Sequence, residues 1–325
     1  MKRVLPKFVP IPAAALILLL VSASCAQQEV KVPTPGEVIG RPPQLDYDDT
    51  SAKGQSTVTV AFPDHPELNC RIWCYEDKLG QPTSWKKDGE ELILQHRSEQ
   101  SANVNVITTF TPCPDGVSQV VVLEGDSEQA TRVINQVNPC FQFRESAAFG
   151  EAPNGKLDYV DDFVARCFVF TDKGLTLLKD TQRVPCDMKP SKEAGDRFSK
   201  RANSDRPWIQ SYSPAWDRFP GEGKEHVPGW SSARITYPIM GVISHDGKYL
   251  AAVAWPETWR MNQLWLCCVH PWPCLLTADY DPSTRKRVSR GKLYILPNDA
   301  GILLERFEKD FPNWRGLAER PTQWQ

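Results

Sequence analysis

The sequence lacks the short motifs that mark several common classes of enzyme. It contains no G-x-S-x-G nucleophile elbow, no H-E-x-x-H motif, no P-loop and no dinucleotide-binding fingerprint. It also lacks an internal repeat with a period of about 20 to 50 residues, which argues against a propeller or a solenoid. The reaction, if there is one, is therefore not identified by a motif, and we leave open whether the protein is an enzyme.

A strong excess of charge is also missing. The chain carries 38 basic and 40 acidic side chains, a net charge of −2. Because such a surface does not attract polyanions, we expect neither nucleic acid nor an anionic membrane surface as a partner.

Long apolar runs are absent except near the start of the chain. The apolar residues 13–21 follow a basic start and precede a run of small residues, which predicts a signal peptide over residues 1–26. Cleavage after Ala26 is one outcome. In the other, Cys25 resembles the lipidated cysteine of a bacterial lipoprotein and is a lipid anchor. Both predict an exported protein that is periplasmic, membrane-anchored or extracellular.

The remaining chain reads as a tether followed by one large domain. Residues 27–54 are rich in proline, glycine and acids without a period, which is typical of a disordered tether. Residues 55–325 contain many short alternating apolar runs separated by turn residues, with a loop insertion near 186–230. We predict an all-β fold, a large two-layer antiparallel β-sandwich (supersandwich-like) with a C-terminal helix.

Two local elements are predicted most sharply. The runs 239–244 and 249–255 flank Asp246 and Gly247, which predicts a β-hairpin. Residues 299–310 carry an apolar stripe at helical spacing, with Asn298 or Asp299 as the N-cap, which predicts a helix packed on the sheet.

The segment from Cys267 to Cys274 carries an unusual group of side chains. In an extended chain Cys268, His270, Trp272 and Cys274 lie on one face. Two prolines remove backbone N–H donors, which predicts an edge strand or a polyproline-like run and not a central strand. One interpretation is a metal site with Cys268, His270 and Cys274 as ligands. Another is a structural disulfide, since export makes disulfides feasible for the ten cysteines. A third is His270 as a general acid or base.

Aromatic residues are concentrated around this segment. Aromatic side chains on loops over a β scaffold commonly stack on sugar rings, or else they close the end of the sandwich. A glycan site between residues 208–230 and 255–274 would use Trp216, Trp230, Trp255 and Trp272 for stacking. Glu257 and His270 would provide polar contacts and, in an enzyme, an acid/base pair.

A resemblance extends over three blocks, GVISHDGK…AWPE at 241–257, VHPWP at 269–273 and GKLYIL at 291–296. These blocks resemble exported bacterial proteins of uncharacterised function and are similar to the large β-sandwich of galactose-mutarotase-like proteins. The resemblance implies a sandwich with a sugar-related role. Catalysis in that family pairs a His with a Glu, and that motif has no position-by-position match here. We pair His270 with Glu257 because they are close in sequence.

Three hypotheses for the function follow. The first is an exported envelope protein that binds or modifies carbohydrate through an aromatic-lined site, without a cofactor. The second is a non-catalytic envelope scaffold or lipoprotein that is cross-linked by disulfides. It is favoured by the nine cysteines that remain besides Cys25, because one of nine must pair outside the chain or stay a thiol. The third is a protein with a Cys/His metal site.

Overall fold

The computed structural model describes residues 39–48, 56–74, 80–98, 103–132, 139–150, 159–182, 209–216, 230–264 and 268–318. Residues 35–325 belong to one compact unit. The predicted signal peptide, the candidate lipid anchor Cys25 and most of the predicted tether lie outside the described residues. Within the described ranges no helix is both long enough and apolar enough to cross a membrane.

The described chain forms two large sheets, which confirms the predicted all-β sandwich. One sheet has eight strands, in the spatial order β1 (Gln44–Asp48), β2 (Ser56–Ala61), β3 (Cys70–Cys74), β8 (Pro139–Gln142), β16 (Cys268–Pro273), β15 (Thr258–Leu264), β11 (Ile209–Pro214) and β12 (Trp230–Ile235). Every pair in this sheet is antiparallel except the pair of β11 and β12.

The second sheet has ten strands and is antiparallel throughout. Its order is β10 (Gly174–Leu177), β9 (Cys167–Thr171), β13 (Ile239–Ile243), β14 (Tyr249–Ala254), β18 (Lys286–Pro297), β7 (Gly116–Gly125), β6 (Val104–Cys113), β5 (Glu91–Arg97) and β4 (Gly80–Asp88), with β17 (Tyr280–Asp281) also paired to β18. The predicted hairpin is confirmed as β13 and β14, joined at Gly247, whose φ is +71°. A positive φ costs glycine little because it has no Cβ.

The main core lies between the two sheets. Alternate residues of each strand face it, among them Val58 and Val60 on β2, Val269 on β16, and Ala251 and Val253 on β14. Side chains alternate along a strand, so the intervening residues of β16 face away from the core. This alternation decides which side chains form the candidate site.

Four described helices accompany the sheets: α1 (Glu128–Thr131), α2 (Tyr159–Arg166), α3 (Ala300–Asp310) and α4 (Trp314–Ala318). The predicted C-terminal helix is confirmed as α3, and Asp299 is its N-cap, accepting hydrogen bonds from the backbone of Gly301 at 2.7 Å and Ile302 at 3.1 Å. Leu303 and Phe307 pack in a cluster with Ala252 and Ala254 on the outer side of β14. The small alanines let the helix approach the sheet closely.

Parts of the predicted organisation were wrong. Residues 44–48, assigned to the tether, form β1 and pair with β2. Residues 209–214, assigned to a loop insertion, form β11 inside the eight-stranded sheet. In each case pairing or packing partners distant in the sequence override a weak local pattern.

The edge-strand prediction for the segment 268–273 was also wrong, because β16 lies between β8 and β15. Successive backbone N–H groups of β16 point alternately to its two neighbouring strands. The N–H of Cys274 donates to the carbonyl of Glu257 beside β15. The N–H groups of even-numbered residues therefore point to β15, and those of odd-numbered residues point to β8. Pro271 and Pro273 therefore lack donors on the β8 side only. Pairing with β8 covers Cys268 and Val269 alone, so the prolines interrupt no ladder.

The expected disulfides do not occur among the seven cysteines that the structure describes, which are Cys70, Cys74, Cys113, Cys140, Cys167, Cys268 and Cys274. A strand rises about 3.3 Å per residue. The Cα atoms of Cys70 and Cys74 on β3 are therefore about 13 Å apart, and those of Cys268 and Cys274 about 20 Å apart. A disulfide requires a Cα separation below about 7 Å.

Trp255 is a fully buried anchor at the end of β14. Its indole Nε1 donates to the Ser289 hydroxyl at 2.7 Å, and its ring lies against Gly291 on β18. A Cβ at position 291 would lie 2.1 Å from a ring carbon of Trp255. The glycine is needed because it leaves room for this ring.

We expect Gly291→Ala to destabilise the fold by about 1–3 kcal/mol, because the added methyl overpacks a rigid indole. The matched control is Gly316→Ala in α4, where an added Cβ meets nothing within 4 Å. The measurement is the free energy of unfolding in urea. Equal stability of the two variants would contradict the assignment of Gly291 as the site that accommodates Trp255.

Candidate metal centre

Three potential metal ligands lie together on the outer face of the eight-stranded sheet. Val269 and Phe141 face the main core, so Cys268 and His270 on β16 and Cys140 on β8 face the other way. The register pairs Cys268 with Gln142 and Val269 with Phe141, and its continuation brings Cys140 level with His270. Each of the three is at least 98 % buried.

The ligand atoms of Cys140, Cys268 and His270 all lie within 4.8 Å of one another. Cys268 Sγ is 3.2 Å from His270 Nε2, and Gln142 Nε2 donates to Cys140 Sγ at 3.1 Å. A tetrahedral zinc ion, with Zn–S of about 2.3 Å and Zn–N of about 2.0 Å, spaces its ligand atoms roughly 3.3–3.8 Å apart. The cluster therefore has dimensions close to those that zinc requires.

A disulfide between Cys140 and Cys268 fits the register less well. Gln142, not Cys140, is opposite Cys268, so the two cysteines are diagonal neighbours. Diagonal Cα atoms on antiparallel strands are about 7–8 Å apart, beyond the usual range of a disulfide. A metal ion tolerates this separation because it adds two bonds of about 2.3 Å between the sulfurs.

The electrostatics of the cluster favour a thiolate. Burial by itself raises the pKa of the Cys140 thiol, but hydrogen bonding from Cys268 and the positive charge of His270 outweigh it and lower the pKa to about 5. For Cys70, which is equally buried but has an apolar setting, burial alone raises the pKa to about 12. These interactions describe the metal-free cluster, in which Cys268 is a donor. A metal ion would displace its proton, because cysteine binds metals as the thiolate and histidine as the neutral ring.

The group of potential ligand atoms that the structure brings together differs from the set predicted from the sequence. It contains Cys268 and His270 with Cys140 in place of Cys274. Cys274 is six residues beyond Cys268 on an extended strand, too far to join this group. Cys140 was missed because it is distant in the sequence, and only the pairing of β8 with β16 brings it close. In the sequence, Cys140 is marked only by its position next to Phe141, which faces the core.

The same outer face carries an arginine between two tryptophans. The register of β15 on β16 shifts between Thr258 and Arg260, so that Trp259 is an extra residue on β15. Such a bulge changes the direction in which the neighbouring side chains point. The Arg260 guanidinium lies 4.4 Å from the centre of the Trp259 ring and 4.0 Å from that of Trp272. Trp230 lies 6.5 Å from Trp259.

The structure does not bring Glu257 to His270. Glu257 lies level with Cys274, four residues along β16 from His270, which is about 13 Å of extended chain. General acid/base partners act on one substrate within hydrogen-bonding distance. The two residues are separated in this conformation, because an extended strand spaces residues that are close in the sequence. Their pairing as acid and base stays a prediction.

The four tryptophans predicted to stack on a sugar do not share one surface. Trp272 and Trp230 lie on the outer face of the eight-stranded sheet, in the group around Arg260. Trp216 packs edge-on against Trp314 in the cluster beneath α3. Trp255 is fully buried and offers no ring face to a ligand. The single aromatic platform predicted from the sequence is therefore divided among three places.

A separate cavity of about 370 Å³ contains Glu257. Its wall includes Tyr280, Phe311 and Trp314 together with Asp310, so it combines aromatic rings with carboxylates. Asp310 is held by Lys292 Nζ at 2.7 Å and by the Tyr294 hydroxyl at 2.8 Å. The cavity lies beside α3, apart from the cysteine cluster.

Comparisons with known proteins add no family. No protein-family model matches the sequence, and no functionally characterised protein in the curated collections is significantly similar to it. The resemblance to mutarotase-like sandwiches stays a prediction, and the function has to be inferred from the geometry.

Proposed function

We propose that the protein is an exported zinc-binding protein whose metal centre is formed by Cys140, Cys268 and His270. The observation that carries the proposal is the convergence of these three buried ligand atoms within 4.8 Å across two strands. Two thiolates and one imidazole match the preference of zinc, and they are poor ligands for calcium or magnesium, which prefer oxygen.

Three ligands lie among the described residues, which is the number of protein ligands in a reactive zinc centre. Catalytic zinc sites use three protein ligands and keep one position for water or substrate. Zinc in such a site supplies a Lewis acid and lowers the pKa of a bound water. The residues of this chain would hold the metal, and Gln142 would stabilise the Cys140 thiolate by its hydrogen bond.

The first test is the metal content of the purified protein. We expect one equivalent of zinc in native mass spectrometry, lost on denaturation, and loss of most bound zinc in Cys140→Ser, Cys268→Ser and His270→Ala. The matched control is Cys274→Ser, which removes a buried cysteine of the same segment and should retain zinc. Retention of zinc by Cys268→Ser, or its loss in Cys274→Ser, would show the ligand assignment to be wrong.

Cobalt(II) substitution tests whether a coordination position is open. A tetrahedral site with two thiolates gives intense visible bands and a sulfur-to-cobalt charge-transfer band. We expect azide or cyanide to change the visible spectrum of the cobalt protein, because either anion can occupy the open position. A spectrum that is unchanged by both anions would argue for a closed, structural site.

A second candidate function is carbohydrate binding in the cavity that contains Glu257. The observation favouring it is the combination of Tyr280, Phe311 and Trp314 with the carboxylates of Glu257 and Asp310 in one wall. Aromatic rings cover the apolar faces of sugars, and carboxylates accept hydrogen bonds from their hydroxyls. This site retains Glu257 from the predicted glycan site but uses other aromatic residues.

Retention on insoluble polysaccharides tests this candidate. We expect Tyr280→Ala to weaken retention about tenfold, because loss of an aromatic contact costs about 1.5 kcal/mol. Tyr47→Ala is the control, since Tyr47 is an exposed tyrosine of β1 outside the cavity. Failure of the wild-type protein to bind any of several glycans would eliminate the carbohydrate hypothesis and leave the zinc hypothesis unaffected.

A further inference from the structure

Arg260 is a half-buried cation without an acidic partner among the described residues. Its guanidinium packs against the rings of Trp259 and Trp272, and no described carboxylate forms an ion pair with it. Burial alone lowers the pKa of Arg260, to about 10. The positive charge is therefore partly removed from water without a compensating anion, which costs free energy.

Two other arginines, both largely buried, have hydrogen-bond acceptors within the fold. Arg287 donates to the Ala278 carbonyl and lies 3.4 Å from Glu128. Arg166 lies 2.9 Å from Asp162 and donates to the Ile243 and Phe149 carbonyls. The fold thus provides acceptors for both guanidiniums, although Arg287 Nε has no hydrogen-bond partner among the described residues. In the same part of the chain Arg260 has its two indole contacts and no acceptor, so its charge is compensated less than theirs.

Two N–H donors at this cation have no acceptor among the described residues. They are the Nε–H of the Arg260 guanidinium itself and the neighbouring Trp272 Nε1, both buried. Buried N–H groups are nearly always paired, so a bound acceptor would complete this site. Asn262 Oδ1, level with His270 on the adjacent strand, is a buried acceptor that is also unsatisfied.

We propose that Arg260 and Trp272 bind an oxoanion, a carboxylate or a phosphate, of a ligand that extends towards the cluster of Cys140, Cys268 and His270. The register places Arg260 opposite Trp272, which is two residues along β16 from His270, or about 7 Å. The guanidinium fork matches the two oxygens of a carboxylate or phosphate. The part of this inference in which the other end of the ligand approaches zinc rests on the proposed zinc function.

This arrangement names the class of ligand for the metal centre. A molecule with an acidic group at one end and a donor that reaches Asn262 would satisfy the exposed charge and the unpaired polar atoms together. Trp259 and Trp272 hold the guanidinium in a fixed orientation before the ligand binds. Such preorganisation reduces the entropy lost on binding.

The test is calorimetric titration of the full-length protein with inorganic phosphate and, separately, with acetate. We expect saturable binding of at least one of the two to wild-type protein, and a Kd at least about thirtyfold higher in Arg260→Met, because the variant loses a partly buried charge-assisted contact. Arg306→Met on α3 is the matched control and should bind as the wild type does. Binding by Arg260→Met with unchanged affinity would overturn the proposal, as would the absence of binding to wild type.

Two further variants keep the test decisive. Arg260→Lys retains the charge but loses the guanidinium fork, so it should bind the anion more weakly than wild type and more tightly than Arg260→Met. If Arg260→Met does not fold, Arg260→Lys replaces it in the test. Equal anion binding by Arg260→Lys and wild type would then contradict the role of the guanidinium fork. Cys268→Ser separates the two proposals. Arg260-dependent anion binding in that zinc-free variant supports the anion site even if the wild type contains no zinc. Wild-type protein that holds zinc but binds neither anion overturns the anion site alone.

Discussion

The inner faces of the two sheets can pack against each other only if every strand keeps its exact pairing register with the neighbouring strands. A strand has a period of two, so a slip by one residue would bury the polar set and expose the apolar set. In β16 and β8 the burial of Val269 and Phe141 against the second sheet therefore decides where their neighbours point. The cysteine and histidine cluster on the outer face follows from this packing constraint.

The outer face of the eight-stranded sheet differs from the outer face of its partner. The partner face carries Ala252 and Ala254 and is covered by α3, an apolar contact that supports the fold. The other face carries buried thiols, an imidazole and an arginine between indoles. Polar groups buried without partners destabilise a fold. Among the described residues, Arg260 Nε, Trp272 Nε1 and Asn262 Oδ1 on this face lack a hydrogen-bond partner, and a bound ligand would supply one.

The proposed metal centre and the proposed anion site lie beside two irregularities of the eight-stranded sheet. The two prolines of β16 are tolerated inside the sheet because β8 ends beside them, and the bulge on β15 turns Trp259 and Arg260 towards Trp272. Regular strands of full length would allow neither feature. Departures from ideal strand geometry are common near functional sites, where they aim side chains that a regular ladder would separate.

The sequence by itself determined the sandwich class, the hairpin of β13 and β14 and the helix α3 with its Asp299 cap, because each depends on local periodicity or turn chemistry. It also determined that Cys268 and His270 share a face, since they are two residues apart on a strand. It could not find Cys140, nor separate Glu257 from His270, nor bury Trp255, because these depend on pairing between strands distant in the sequence. Which side chains lie together on the outer face depends on the pairing of distant strands, because no local pattern shows which strand lies beside another.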